Sequence, residues 1–93
     1  MLSKIPINLD KIRKGEIDKE ILRVGIIAEL DAVSLYEQLA AMTTDKNIKI
    51  LFLDIAKEEK THVGEFQAML LMLDKQQAQE MEKGKKEVGD LIK

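Results

Sequence analysis

Two stretches of this chain place apolar side chains at alternating steps of four and three residues, the spacing that draws one strip along an α-helix. The first runs Leu22, Ile26, Glu29, Val33, Tyr36, Ala40; the second runs Ile48, Phe52, Ile55, Glu59, His62, Phe66, Met69, Leu73. A strip of this kind is turned toward a packing partner, so the pattern predicts an all-α fold. Polar groups interrupt both strips: Glu29 in the first, Glu59 and His62 in the second. Burying a carboxylate is costly unless it is paired or bound to a metal.

Thr43-Thr44-Asp45 separates the two strips. The first helix is expected over residues 19–42, with Asp18 as its N-cap, and the second over 46–73, capped by Thr44 or Asp45. Each would be roughly 35–42 Å long at 1.5 Å per residue. So short a link makes them an antiparallel hairpin. Gly25 sits inside the first helix, where it costs about 1 kcal/mol relative to alanine or permits close helix approach. Asp74 opens another break, and a third, more polar helix is expected over 76–86. Gly84 and Gly89 predict a flexible tail over 87–93. Residues 1–17 read as loosely structured because Pro6, Asn8 and Gly15 interrupt any long pattern, with a short turn around Asp10 to Lys14. The whole of 1–93 reads as one domain.

Composition closes several routes. Cysteine is absent, which removes disulfides and thiolate metal sites. The net charge of -2, from 17 acidic and 15 basic residues, argues against a nucleic-acid partner, which would need a basic face. No apolar run reaches the roughly 20 residues of a membrane span, and residues 1–9 lack the apolar core of a secretion signal. A soluble, cytoplasmic protein is therefore expected. A second apolar strip (Ile27, Leu30, Leu35, Leu39 on one helix and Leu53, Ala56, Val63, Leu70 on the other) is too wide for two helices to bury alone. Self-association into a homo-oligomer is the consequence.

Glu59 and His62 are three residues apart and share a helix face. Glu-x-x-His, here Glu59-Lys60-Thr61-His62, is half of the ligand set of carboxylate-bridged di-iron bundles, which take a glutamate from each of two helices and Glu-x-x-His from each of two more. Carboxylate oxygens suit iron, and imidazole adds a borderline nitrogen ligand. One chain thus supplies half a site, and two chains a whole one: a dimeric four-helix bundle holding two iron ions. Glu29 lies 16 residues before Asp45 and Glu59 lies 14 after it, so the hairpin brings them level. Tyr36, two turns from Glu29 on the same face, is a candidate neighbour of the metals or a core aromatic. Asp31, Glu37, Glu58 and Glu65 read mostly as solvated charges, with Asp31, Glu58 and Glu65 the candidates for a secondary cation or iron-uptake site. Met42, Met69 and Met72 read as core filler.

With these residues in place the sequence resembles the encapsulated ferritins, a compact branch of the ferritin-like superfamily. The resemblance rests on Ala28-Glu29-Leu30-Asp31-Ala32, Leu35-Tyr36-Glu37-Gln38 and Glu58-Glu59-Lys60-Thr61-His62-Val63-Gly64-Glu65-Phe66, and covers about residues 20 to 75. It is especially similar to the archaeal form, in which this domain is joined to the N-terminus of an encapsulin shell protein. No shell segment follows here, which implies a free-standing member or an excised domain. The resemblance implies a ferroxidase that oxidises Fe(II) with O2, with Glu29, Glu59 and His62 of both chains as ligands and Tyr36 beside them. It further implies dimers assembled in a ring, commonly of five, inside an encapsulin nanocompartment that stores the iron. Ala28 departs from the family's acidic uptake residues, of which only Asp31 remains. The tail, Val88-Gly89-Asp90-Leu91-Ile92-Lys93, resembles short peptides that dock cargo inside such shells.

Two other readings compete. A peroxide-reducing di-iron protein would use a similar site, though such proteins often carry a rubredoxin whose cysteines are absent here. A structural helical oligomer would keep the three polar groups as a buried ionic cluster that fixes register.

Overall fold

A computed structural model describes residues 16–93, and every regular element among them is helical. Helix α1 spans Ile17–Met42, α2 spans Lys46–Leu73 and α3 spans Lys75–Leu91. The turn expected around Asp10 to Lys14 lies outside the described residues.

Helix α1 begins earlier than the sequence pattern predicts. Glu16 stands at its N-cap without a side-chain capping bond, and Asp18 lies within the first turn instead of capping it. There Asp18 and Glu20 complement the positive end of the helix dipole. The pairs Lys19–Glu16 and Arg23–Glu20, each at 3.2 Å, lie along the same turn.

The link between α1 and α2 is built from short polar contacts. Thr43 N–H donates to the Leu39 carbonyl, Asp45 N–H donates to Thr43 Oγ1, and Asp45 Oδ1 accepts from the N–H groups of Asn47 and Ile48 at 2.8 and 3.0 Å. Asp45, not Thr44, is therefore the cap. It satisfies two of the donors that a helix start leaves without partners. The chain reverses over three residues, and α1 and α2 pack as a hairpin.

The strip of α2 that contains Glu59 and His62 faces α1 through its middle and is exposed toward its ends. Among the described residues the buried apolar side chains are Ala40, Ala56 and Leu70. Ala56 and Leu70 belong to the second strip, whereas Ile48, Met69 and Leu73 of the polar-interrupted strip are exposed at 44%, 52% and 46%. Small side chains allow helices to approach closely, and the line of closest approach follows them. Phe52 packs on Tyr36 and Phe66 lies against Gly25, so Glu59 and His62 sit between two contacts with α1. Met42, Met69 and Met72, expected as core filler, are all exposed.

Asp74 separates α2 from α3 and serves both. Its backbone N–H closes α2 on the Leu70 carbonyl, while its Oδ1 accepts from Gln77 N–H at 3.0 Å to cap α3. Its Oδ2 receives Arg23 Nη2 from α1 at 3.0 Å. The Gln77 N–H holds the Asp74 carboxyl below its ordinary pKa; desolvation opposes it, and the nearby Lys19 and Arg23 add smaller lowering effects. Helix α3 is longer than expected. Residues 87–91, read from sequence as flexible tail, are helical to Leu91, and Ile92 N–H closes the end on the Val88 carbonyl. Gly84 and Gly89 lie in ordinary helical backbone with no positive φ. Each costs about 1 kcal/mol, but the intervening lysines and glutamates are good helix formers that offset much of that. No residue of α3 is buried.

Candidate metal centre

Glu29 enters from α1, and Glu59 and His62 enter together from one turn of α2. One ligand atom from each of the three lies within 4.8 Å of the others, the only such convergence of three metal-competent groups among the described residues. His62 Nδ1 stands 3.6 Å from Glu29 Oε2 and 3.5 Å from Glu59 Oε2. Both distances exceed the 2.7–3.2 Å of a good N–H···O hydrogen bond. The groups face one another without closing on one another.

Glu29 Oε2 is buried and has no hydrogen-bond partner. A carboxylate oxygen in that position normally finds a donor, because leaving it bare costs about 1–3 kcal/mol. It points instead toward Glu59 and His62. A cation bound by oxygen and nitrogen at about 2.0–2.2 Å requires donors spaced a little under twice that distance, and the observed gaps agree. Two carboxylates and one imidazole are also a suitable donor set for iron, zinc or manganese. The residues therefore fit a metal ion.

The centre is closed on one side only. The Glu29 and Glu59 side chains are each 19% exposed, while that of His62 is 45% exposed. The open rim is at His62 and continues to Met69, exposed two turns further along α2.

The other residues singled out by sequence are placed differently. The Tyr36 ring packs on Phe52 with centroids 5.9 Å apart and planes tilted by 43°. It thus occupies the seam nearer the hairpin link, and among the described residues no hydrogen bond joins its hydroxyl to the three ligands. Asp31, expected among the solvated charges, is buried at 8% exposure. Two residues from Glu29, it lies on another face of α1. Glu58 and Glu65 are exposed. Glu37 pairs across the hairpin with Lys60 at 2.9 Å. The sequence carried no signal for that pair, since it depends on how far each helix is rotated about its axis.

The comparisons with known proteins bear on the same residues. Residues 20–91 match the family model described as Rubrerythrin. Over 93 residues the chain is 53% identical to the ferritin-like-encapsulin shell fusion protein of Pyrococcus furiosus; the match takes in 98% of this chain and 27% of that protein. The chain thus spans about a quarter of that relative's length. The crystal structure of the encapsulated ferritin domain from Pyrococcus furiosus superposes with a TM-score of 0.83 at 51% identity, over 99% of this chain and 96% of that one. No helix among the described residues is long and apolar enough to cross a membrane. Three metal-competent side chains on a helical hairpin, a family match across most of the chain and a half-identical solved domain converge on one assignment: the chain belongs to the rubrerythrin family of ferritin-like proteins, as a domain of the encapsulated ferritin type.

Proposed function

We propose that two copies of this hairpin meet rim to rim in a four-helix bundle and form a ferroxidase centre that oxidises Fe(II) to Fe(III). The observation that carries the reading is the buried, partnerless Glu29 Oε2 facing Glu59 and His62 on the open edge of the hairpin. A second copy would close that edge and bring the donors to four carboxylates and two imidazoles, enough for two iron ions. Fe(II) is the substrate, and two ions together supply two electrons to dioxygen. The carboxylates of Glu29 and Glu59 offset more charge in the ferric pair than in the ferrous pair, which favours oxidation. His62 presents Nδ1 to the centre, and an acceptor for its other nitrogen would fix the tautomer. Tyr36, which packs on Phe52 toward the hairpin link, is proposed as a neighbour of the bound metals. Of the candidate uptake residues, Asp31, Glu58 and Glu65, the latter two are exposed and placed to draw Fe(II) from solvent.

Further assembly of dimers into a ring, and delivery of ferric iron to storage inside an encapsulin shell, are supported by the relative in which a ferritin-like segment is fused to such a shell. That setting also implies a location in the cytoplasm, within the compartment.

The test is anaerobic titration with Fe(II) followed by exposure to oxygen, in parallel with hydrogen peroxide because the family match is to rubrerythrin. A ferric absorbance band that forms with oxygen and is lost in Glu29→Ala and His62→Ala supports the ferroxidase. Faster oxidation by peroxide than by oxygen supports a peroxide-reducing protein instead. Indifference to iron leaves the structural oligomer.

A further inference from the structure

The space beside Gly25 is occupied by an aromatic ring. A Cβ placed on Gly25 would stand 3.4 Å from three ring carbons of Phe66, Cδ1, Cδ2 and Cε2, so the ring lies against the α1 backbone. Gly25 precedes Glu29 by four residues, and Phe66 follows His62 by four. Each is therefore one helical turn from a ligand, on the same side of the same helix. The ring-on-glycine contact spans the hairpin one level below the point where Glu29 and His62 approach to 3.6 Å.

We propose that Gly25 and Phe66 form a spacer that sets the distance between α1 and α2 at the metal centre, and so tunes how tightly the Glu29, Glu59 and His62 donors hold a divalent cation. The proposal rests on the metal-centre reading given above. Helix separation follows the side chains at the contact, and a phenyl ring against bare backbone gives a narrower gap than a phenyl ring against a methyl. Glu59 and His62 share one rigid turn of α2, so widening the hairpin leaves their mutual spacing unchanged and moves both away from Glu29. That affects the ligand contributed by α1 and no other. Phe66 is a positioning residue, as is Gly25. Neither touches the cation.

The contact also explains why a glycine is found in the middle of a long helix. Alanine at this position would favour the helix more, and at 3.4 Å the ring needs to yield only slightly for the methyl to fit. The helix alone would be served better by alanine, whereas the donor spacing is served by glycine.

The experiment is titration of the metal-free chain with Co(II), whose visible absorption reports both occupancy and coordination number, on the wild type, Gly25→Ala, Phe66→Leu and the double variant. Circular dichroism and the thermal midpoint of the metal-free forms are measured alongside. The expected result is helical content and a midpoint kept or raised in Gly25→Ala, with Co(II) affinity lower by roughly tenfold, the scale on which losing a ligand-supporting group acts. Phe66→Leu, flexible enough to accommodate the methyl, should restore affinity in the Gly25→Ala background, so the two effects are not additive. Equal affinity in the wild type and a folded Gly25→Ala overturns the spacer, as do strictly additive losses in the double variant. If Gly25→Ala does not fold, unchanged affinity in Phe66→Leu alone overturns it, and a roughly tenfold loss there supports it. A wild type that takes up no Co(II) overturns the metal centre itself and the spacer with it, an outcome visible before any variant is made.

Discussion

Glu29 Oε2 and His62 Nδ1 face each other at 3.6 Å across two helices, and the carboxylate oxygen has no other partner. A pair held that close without a hydrogen bond makes sense when a third party is to stand between them. In the metal-free protein the same arrangement is a liability, since Glu59 brings a second carboxylate into the same cluster as the partnerless Glu29 oxygen. Function and stability are therefore expected to pull in opposite directions at Glu29.

Glu29→Leu should show this directly. It removes a buried polar atom that lacks a partner, so the metal-free protein should gain about 1–3 kcal/mol, read as a higher thermal midpoint. The same change should abolish Fe(II) binding and oxidation. A midpoint that falls by a similar amount would mean that the carboxylate already has a structural role without metal.

Metal should drive association, because the proposed centre takes its ligands from two copies. Fe(II) added anaerobically should raise the dimer fraction in sedimentation velocity, with the gain growing as metal exceeds its dissociation constant. Glu59→Ala should remove this response and leave the helical circular dichroism signal intact. Metal-independent sedimentation of the wild type is the adverse result.

Self-association should also depend on the exposed apolar rim. Met69 lies on the same strip as Glu59 and His62 and is 52% exposed. Met69→Lys places a charge where a second copy would pack, and should weaken the dimer by about tenfold or more, equivalent to about 1.4 kcal/mol. Dilution-series sedimentation or light scattering reads the shift. An unchanged dissociation constant would move the interface to another face of the hairpin.

The link to α3 should be acid-sensitive. Asp74 has its carboxyl pKa lowered in the fold, first by the Gln77 N–H and then by Lys19 and Arg23. A depressed carboxylate contributes stability that is fully present above its unfolded value, near 3.8, and lost as pH falls through the lower folded value. The α3 amides should accordingly lose hydrogen-exchange protection as pH drops below that range. In Asp74→Asn the protection should be weaker at neutral pH and flat with acid, since neither the charge nor its pairing with Arg23 remains.

At the hairpin link, Asp45→Ala should destabilise by about 1 kcal/mol, because the N–H groups of Asn47 and Ile48 lose their acceptor. Thermal melts check it, and Thr44→Ala is the control expected to do little.

The sequence by itself determined the helices, the hairpin and the height of the ligands. Residues 46–73 follow the expected helix because Asp45 can cap it and the four-three spacing runs its whole length, and Glu29 meets Glu59 because their distances from the link nearly match. Periodicity records height and face along one helix. It does not record how far that helix is rotated against its neighbour. Only the tertiary structure decided that Ala56 and Leu70 are buried while Met69 and Leu73 are exposed. The same packing leaves the His62 side chain half-exposed and pairs Glu37 with Lys60 across the hairpin. Such outcomes depend on how two helix surfaces fit together, a property that neither helix carries alone.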